Sequence, residues 1–273
     1  MEVISRSSAL SVAPLAGALG ARVDGVDLRR VDDETMKILR AAFLKYCVLV
    51  YPGQERLTPE EHATFAAQWG ELNYSPAQSH VSCVDGNRAV LLVDWHGEKP
   101  QTDSWHSDFS LDERPPMGSL LLARIVPVGG DTVFANQYLA YEALSDGMKR
   151  MLEGLSAVHS AHNFAKYMNQ DAARMPKSTH PVVRTHPETG RKALYVNSGY
   201  TAHFDGMSED ESMPLLRWLW AHCTQPNFTF RHRWSVGDLL MWDNRCTQHF
   251  AIADYGSSPR TMHRVTILGD RPR

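Results

Sequence analysis

A mainly β fold with inserted helices, built on a double-stranded β-helix (jelly-roll) core, is what the 273-residue sequence predicts. Three observations lead there. Short apolar runs of strand length recur, as in Cys47 to Tyr51 (CVLVY), Ser119 to Val126 (SLLLARIV) and Asp238 to Trp242. Helical periodicity is confined to a few segments that do not alternate regularly with the strands, which favours a closed or two-sheet antiparallel core. No Gly-rich phosphate loop follows a strand, because Gly129-Gly130 lacks the spacing of either nucleotide motif. Rossmann and P-loop readings are thereby excluded.

Taken in order, Ser8 to Leu28 reads as a hairpin. Its apolar part superficially resembles a signal peptide, but Pro14, Gly17 and Gly20 interrupt the run and RVDGVDL continues with strand-like alternation. Asp32 or Asp33 caps a helix whose apolar positions are Met36, Leu39, Phe43 and Leu44. Thr58-Pro59-Glu60-Glu61 combines an N-cap, proline at the first helical position and a capping-box glutamate, with Gly70 as the expected stop. Residues 73–102, apart from Ala89 to Val93, and residues 164–179 are expected to be loops that close over a site. Strands are expected at Ser119 to Val126, Thr132 to Ala135, Lys192 to Asn197, Phe228 to Trp234 and Arg260 to Leu268, and helices at Leu139 to Leu155 and after the Ser208 to Glu211 capping box. With no internal repeat, residues 1–273 are expected to form one domain.

Composition narrows the class. The 43% hydrophobic and 22% charged residues are ordinary for a globular chain, and 28 Lys+Arg against 31 Asp+Glu supply no basic field for nucleic acid. No apolar run is long enough to span a membrane. Cys47, Cys83, Cys223 and Cys246 form no close pair, which suits a cytoplasmic, reducing location.

Two constellations can carry chemistry. His106 and Asp108 form an H-x-D pair, and on an extended segment both side chains point to one face, where they can bind one metal. A second histidine would complete a two-His, one-carboxylate face that leaves three positions open on Fe(II). With 13 histidines, roughly one H-x-D arises by chance, and His203-Phe204-Asp205 is a second copy. Near the C-terminus, Trp242-Asp243-Asn244-Arg245 precedes His249, and Arg260 and Arg264 share a parity on their strand. Two guanidinium forks on one face can receive anionic guests or form surface ion pairs.

Together His106-x-Asp108, the Gly129-Gly130-Asp131-Thr132 turn, the run before His249, and Arg260 with Arg264 resemble the taurine dioxygenase (TauD/TfdA) family over nearly the whole chain. The resemblance implies Fe(II) held by His106, Asp108 and His249, with 2-oxoglutarate and O2 as cosubstrates. It implies that Thr132 and Arg260 bind 2-oxoglutarate, that Trp242 lies near the metal, and that Arg264 meets the anionic head of the primary substrate. Ser75, Gln78 and Thr102 stand where the taurine enzyme has a histidine, a tyrosine and an asparagine, so a substrate other than taurine is expected. Phe164 is a further expected substrate contact. The implied reaction is hydroxylation of a small anionic molecule, a sulfonate, alkyl sulfate or aryloxy or other carboxylate, giving succinate and CO2 and, where the carbon bears a heteroatom, cleavage. A homo-oligomer, dimer or tetramer, is implied as well. A metal and 2-oxoglutarate sensor without turnover is the alternative on the same fold.

Overall fold

The computed structural model describes residues 10–74, 82–95, 104–161 and 176–273. The chain opens with an antiparallel hairpin, β1 (Ser11–Pro14) and β2 (Ala21–Asp24), followed by α1 (Asp33–Tyr46) and β3 (Val48–Tyr51). Asp32 caps α1 by accepting the Thr35 N–H, and Cys47 ends the helix in the left-handed region at φ 62°. The reciprocal Thr58 and Glu61 capping box opens α2 (Pro59–Ala67). Gly70 does not terminate α2: the helix stops at Gln68 in right-handed conformation. Gly70 instead lies where an added Cβ would approach Ile267 to 3.1 Å, so its smallness serves packing.

The first expected loop is only partly a loop, since β4 (Cys83–Val84) and the nine-residue β5 (Asn87–Trp95) occupy its middle. After β6 (Gly118–Ile125) and β7 (Thr132–Asn136), the expected single helix is two, α3 (Gln137–Glu142) and α4 (Asp146–Leu152). Asn136 and Ser145 cap them separately, and the Ser145 cap is what breaks the run. Strands β8 (Ser156–Ser160), β9 (Lys177–Pro181), β10 (Val183–Thr185), β11 (Lys192–Leu194) and β12 (Thr201–Phe204) follow, so the second expected loop ends by Lys177. The Ser208 and Glu211 capping box opens α5 (Glu209–Cys223), and β13 (Thr229–His232), β14 (Leu239–Asp243), β15 (Thr247–Ala251) and β16 (Arg260–Ile267) complete the chain.

The large sheet has the order β1-β2-β3-β14-β6-β16-β5-β4, and β13-β7-β15 forms a second sheet. Strand alternation divides the large sheet into two faces. Leu49, Tyr51, Leu120, Leu122, Leu239, Met241, Val265 and Ile267 pack on one side with Leu39 and Phe43 of α1 and Phe65 of α2. Val48, Val50, Ala123, Leu240, Trp242 and Met262 face the other way, against Phe134 of the second sheet. This two-sheet arrangement is the jelly roll, and its space between sheets is where Arg260, Arg264 and Thr266 project from the even positions of β16.

Two buried imidazoles make the fold sensitive to acid. Burial pushes His62 down to about 3, helped by nearby His263 and Arg124, and His159 down to about 3, helped by His180. Because the unfolded chain takes up these protons from about 6.5 downward, the stabilisation is present above that pH and is lost as pH falls toward 3. Denaturant midpoints measured from pH 7.5 to pH 4 should therefore drop steeply. His62→Leu should flatten the dependence by up to about 1.4 kcal/mol per pH unit within that window.

Candidate metal and anion site

His106 and His249 form an antiparallel bridge, the His106 N–H donating to the His249 carbonyl at 3.1 Å and the reverse bond at 2.8 Å. Their rings stand 4.2 Å apart, centroid to centroid. Asp108, two residues on, points to the same side, and its Oδ1 lies 3.7 Å from His106 Nε2 and 3.6 Å from His249 Nε2. One ligand atom from each of the three residues falls within 4.8 Å of the others, and all three side chains are buried. The arrangement can hold one metal ion. His203 and Asp205 take no part: His203 Nδ1–H donates to the Phe204 carbonyl at the end of β12, and Asp205 is exposed.

Protonation suits ligation. His106 Nδ1–H donates to the Ser104 carbonyl at 2.8 Å, which leaves the Nε2 lone pair facing Asp108. Burial drives His249 down to about 3 and lowers His106 as well, so both rings are neutral near pH 7. Burial alone would raise the Asp108 carboxyl, but Arg264, both imidazoles and the Ser119 hydroxyl outweigh it and hold it at about 2. Its Oδ2 accepts from Ser119 Oγ at 2.7 Å and pairs with Arg264 Nη2 at 2.6 Å.

The peptide at Asp108 is also clamped. Asn244, in the turn between β14 and β15, accepts the Asp108 N–H at 2.6 Å and donates Nδ2–H to the Asp108 and Pro116 carbonyls at 2.9 and 3.0 Å. Phe109 then takes the left-handed region at φ 45°, a conformation costing a bulky residue about 1–2 kcal/mol. Sequence reasoning singled out the Asn244 run but missed this clamp, and it missed Ser119 and β15 altogether. The only local signal for Ser119 is a polar residue in an apolar strand.

Beside this cluster a cavity of about 100 Å³ is lined by Thr132, Trp234, Trp242, Arg260 and Arg264 along with the two histidines. Trp242 stands 5.0 Å from His249, ring to ring. Gly129 and Gly130, at φ 90° and 71°, form the turn that starts β7, where a Cβ on Gly129 would sit 2.6 Å from Asp254 Oδ1 and one on Gly130 would crowd Tyr255. That turn brings Thr132 to the cavity. Trp234 Nε1–H donates to Thr132 Oγ at 3.0 Å, so the threonine keeps its own proton to give. Arg260 is 5% exposed, its Nε has no partner, and no carboxylate among the described residues pairs with it. Burial lowers its pKa, with only Tyr255 working the other way.

Arg264 lines the same cavity and pairs with Asp108, a buried carboxylate within reach being a strong partner for a guanidinium. Ser75, Gln78, Thr102 and Phe164 lie outside the described residues. A second group close enough to hold a metal, His186, Asp243 and Cys246, is an ion-pair network: His186 Nε2 and Arg245 Nη2 both occupy Asp243 Oδ2 while Arg245 Nε occupies Oδ1. A larger cavity of about 290 Å³, near Phe43, Trp69 and Asp270, contains none of the three ligand residues.

Comparison with known proteins agrees with this geometry. The family model described as "Taurine catabolism dioxygenase TauD, TfdA family" matches residues 11–266. An alpha-ketoglutarate-dependent sulfate ester dioxygenase of Pseudomonas putida is 35% identical, over 96% of this chain and 91% of its own length. An (S)-phenoxypropionate/alpha-ketoglutarate-dioxygenase of Sphingobium herbicidovorans is 35% identical, over 97% and 96%. The crystal structure of a putative alpha-ketoglutarate-dependent taurine dioxygenase from Burkholderia xenovorans superposes with a TM-score of 0.85 at 36% identity, covering 96% of this chain and 94% of that one. The two facing sheets, the buried His-Asp-His cluster and these similarities lead to one conclusion: the chain belongs to the TauD/TfdA family and is an Fe(II)- and 2-oxoglutarate-dependent dioxygenase.

Proposed function

We propose that the chain hydroxylates a small anionic organic molecule, a sulfate ester, sulfonate or aryloxy or other carboxylate, while 2-oxoglutarate and O2 are converted to succinate and CO2. The observation that carries this reading is Arg260, a buried cation with no acid partner among the described residues, beside a His-Asp-His cluster. An uncompensated buried charge is costly, and a carboxylate guest removes the cost. His106, Asp108 and His249 would hold Fe(II), with two neutral imidazoles and an ionised carboxylate already in the protonation states that ligation needs. Bound Fe(II) supplies the redox capacity to activate O2 and oxidise a C–H bond.

The chain's own groups do the rest. Arg260 would grip the distal carboxylate of 2-oxoglutarate and Thr132 would donate its hydroxyl proton to the same group. Trp242, Phe134 and Trp234 wall the space with apolar surface and restrict water. Arg264 would leave Asp108 in part to receive the substrate anion, so the distance from that anion to the attacked carbon selects the product. Where the attacked carbon bears an ester or ether oxygen, hydroxylation leads to C–O cleavage. A cytoplasmic, homo-oligomeric protein belongs to this proposal. All four cysteines are free thiols, and no helix among the described residues is long and apolar enough to cross a membrane.

Succinate formation from 2-oxoglutarate in air, with Fe(II) or Zn(II) and a panel of sulfate esters, sulfonates and carboxylic acids, tests the reading. Turnover with iron alone, stimulated by one compound class, is expected. Bound iron and 2-oxoglutarate with no succinate from any compound would favour the sensing alternative. Arg260→Ala should weaken 2-oxoglutarate binding to the Mn(II)-loaded protein by about 1.5–3 kcal/mol, read by calorimetry. In the same instrument Asp108→Ala should lose Mn(II) affinity, whereas Asp205→Ala should match the parent protein. The reverse order would assign the metal to the other H-x-D.

A further inference from the structure

The two oxygens of Asp108 are not equivalent. Oδ1 faces the two histidine Nε2 atoms at 3.7 and 3.6 Å. Oδ2 is turned away and saturated, with the Ser119 hydroxyl at 2.7 Å and Arg264 Nη2 at 2.6 Å. Ser119 is fully buried and also accepts from Arg264 Nη2 at 3.2 Å. Its single proton is therefore committed to Asp108. Its main chain is held on both sides, since Ser119 pairs with Trp242 of β14 and Thr266 of β16. A donor so placed is not displaced when a guest enters.

We infer that Ser119 is a positioning residue that keeps Asp108 Oδ1 aimed between the His106 and His249 Nε2 atoms while Arg264 is drawn to the substrate anion. The inference rests on the metal and substrate roles proposed above. The three residues would hold a metal only if one atom from each stays directed at a common point, as their ligand atoms are here. A carboxylate free to swing about its Cβ–Cγ bond would lose the direction of Oδ1 toward the two imidazoles. In the free protein two donors oppose the swing. Arg264 also has an unpartnered Nε with which to meet an anion, and once it turns to one, Ser119 is the donor that remains.

The test measures Mn(II) affinity by calorimetry for the parent protein, His106→Ala, Arg264→Ala, Ser119→Ala, Ser119→Thr and Ser119→Cys, and for Ser119→Ala and Ser119→Cys each combined with Arg264→Ala. Metal-free thermal melting reports folding separately. Ser119→Ala should lower Mn(II) affinity about 10-fold, as loss of a group orienting a metal ligand does, with the metal-free melting curve little changed. Ser119→Thr, which keeps the hydroxyl, should restore it, and the nearly isosteric but weakly donating Ser119→Cys should behave like alanine and serve in its place if alanine fails to fold. The loss on removing Ser119 should be larger in the Arg264→Ala background than in the parent. Affinity unchanged by Ser119→Ala and Ser119→Cys, relative to the parent in one background and to Arg264→Ala in the other, with binding abolished by His106→Ala, would overturn the positioning role. Parent-like affinity for His106→Ala would instead mean that the metal assignment has failed, and this inference with it.

Discussion

Asp108 is an ionised carboxylate with 2% of its surface exposed, and the site is organised around making that charge tolerable. Taking a carboxylate out of water costs several kcal/mol unless charge and hydrogen bonds replace its hydration. Arg264, Ser119 and the edges of two imidazoles provide the replacement. They come from β16, β6, β15 and the segment before Asp108, so strand register and carboxylate solvation are one constraint. A slip of one residue in β16 would turn Arg260 and Arg264 to the helix-covered face and leave Asp108 without its cation.

A second buried ion pair supports the first from behind. Burial raises the Asp243 carboxyl, but Arg245 and His186 more than reverse this, and Arg245 is in turn raised by Asp243 and Glu188 against the effect of its own burial. Asn244 lies between the two charged residues. The network therefore holds the turn that delivers both the Asn244 clamp on Asp108 and the strand bearing His249. Each group has partners already in place, so the network supplies rigidity and no vacant ligand position.

The anion side of the site follows another logic. Arg264 has an acid partner in Asp108, whereas Arg260 has none among the described residues. A protein that buries one guanidinium without an acid has built part of a binding site, and the unfavourable desolvation is relieved only when a guest carboxylate arrives. The Thr132 hydroxyl, its acceptor side engaged by Trp234, adds a donor of fixed direction at the same place.

Much of the fold was legible in the sequence because its signals are local. The Thr58 and Ser208 capping boxes, the Asp32 cap, the short apolar runs of β3, β6 and β14 and the shared parity along β16 each depend on a few neighbouring residues. The signals failed where local patterns were short or ambiguous: β8, β9, β12 and β15 are half-polar strands stabilised by pairing, and Ser145 divided an apparently continuous helix. For the site, the sequence by itself determined the ligand types, the shared parity of Arg260 and Arg264, and the family pattern that selects His106 and Asp108. The tertiary structure alone decided that His106 meets His249 across an antiparallel bridge, that Arg264 rests on Asp108 while Arg260 has no acid partner among the described residues, and that Ser119 holds the Asp108 carboxylate and Asn244 its peptide. The reason is physical: periodicity and capping are settled within a turn or a strand, whereas the solvation of a buried charge is settled by whichever distant strands pair beside it.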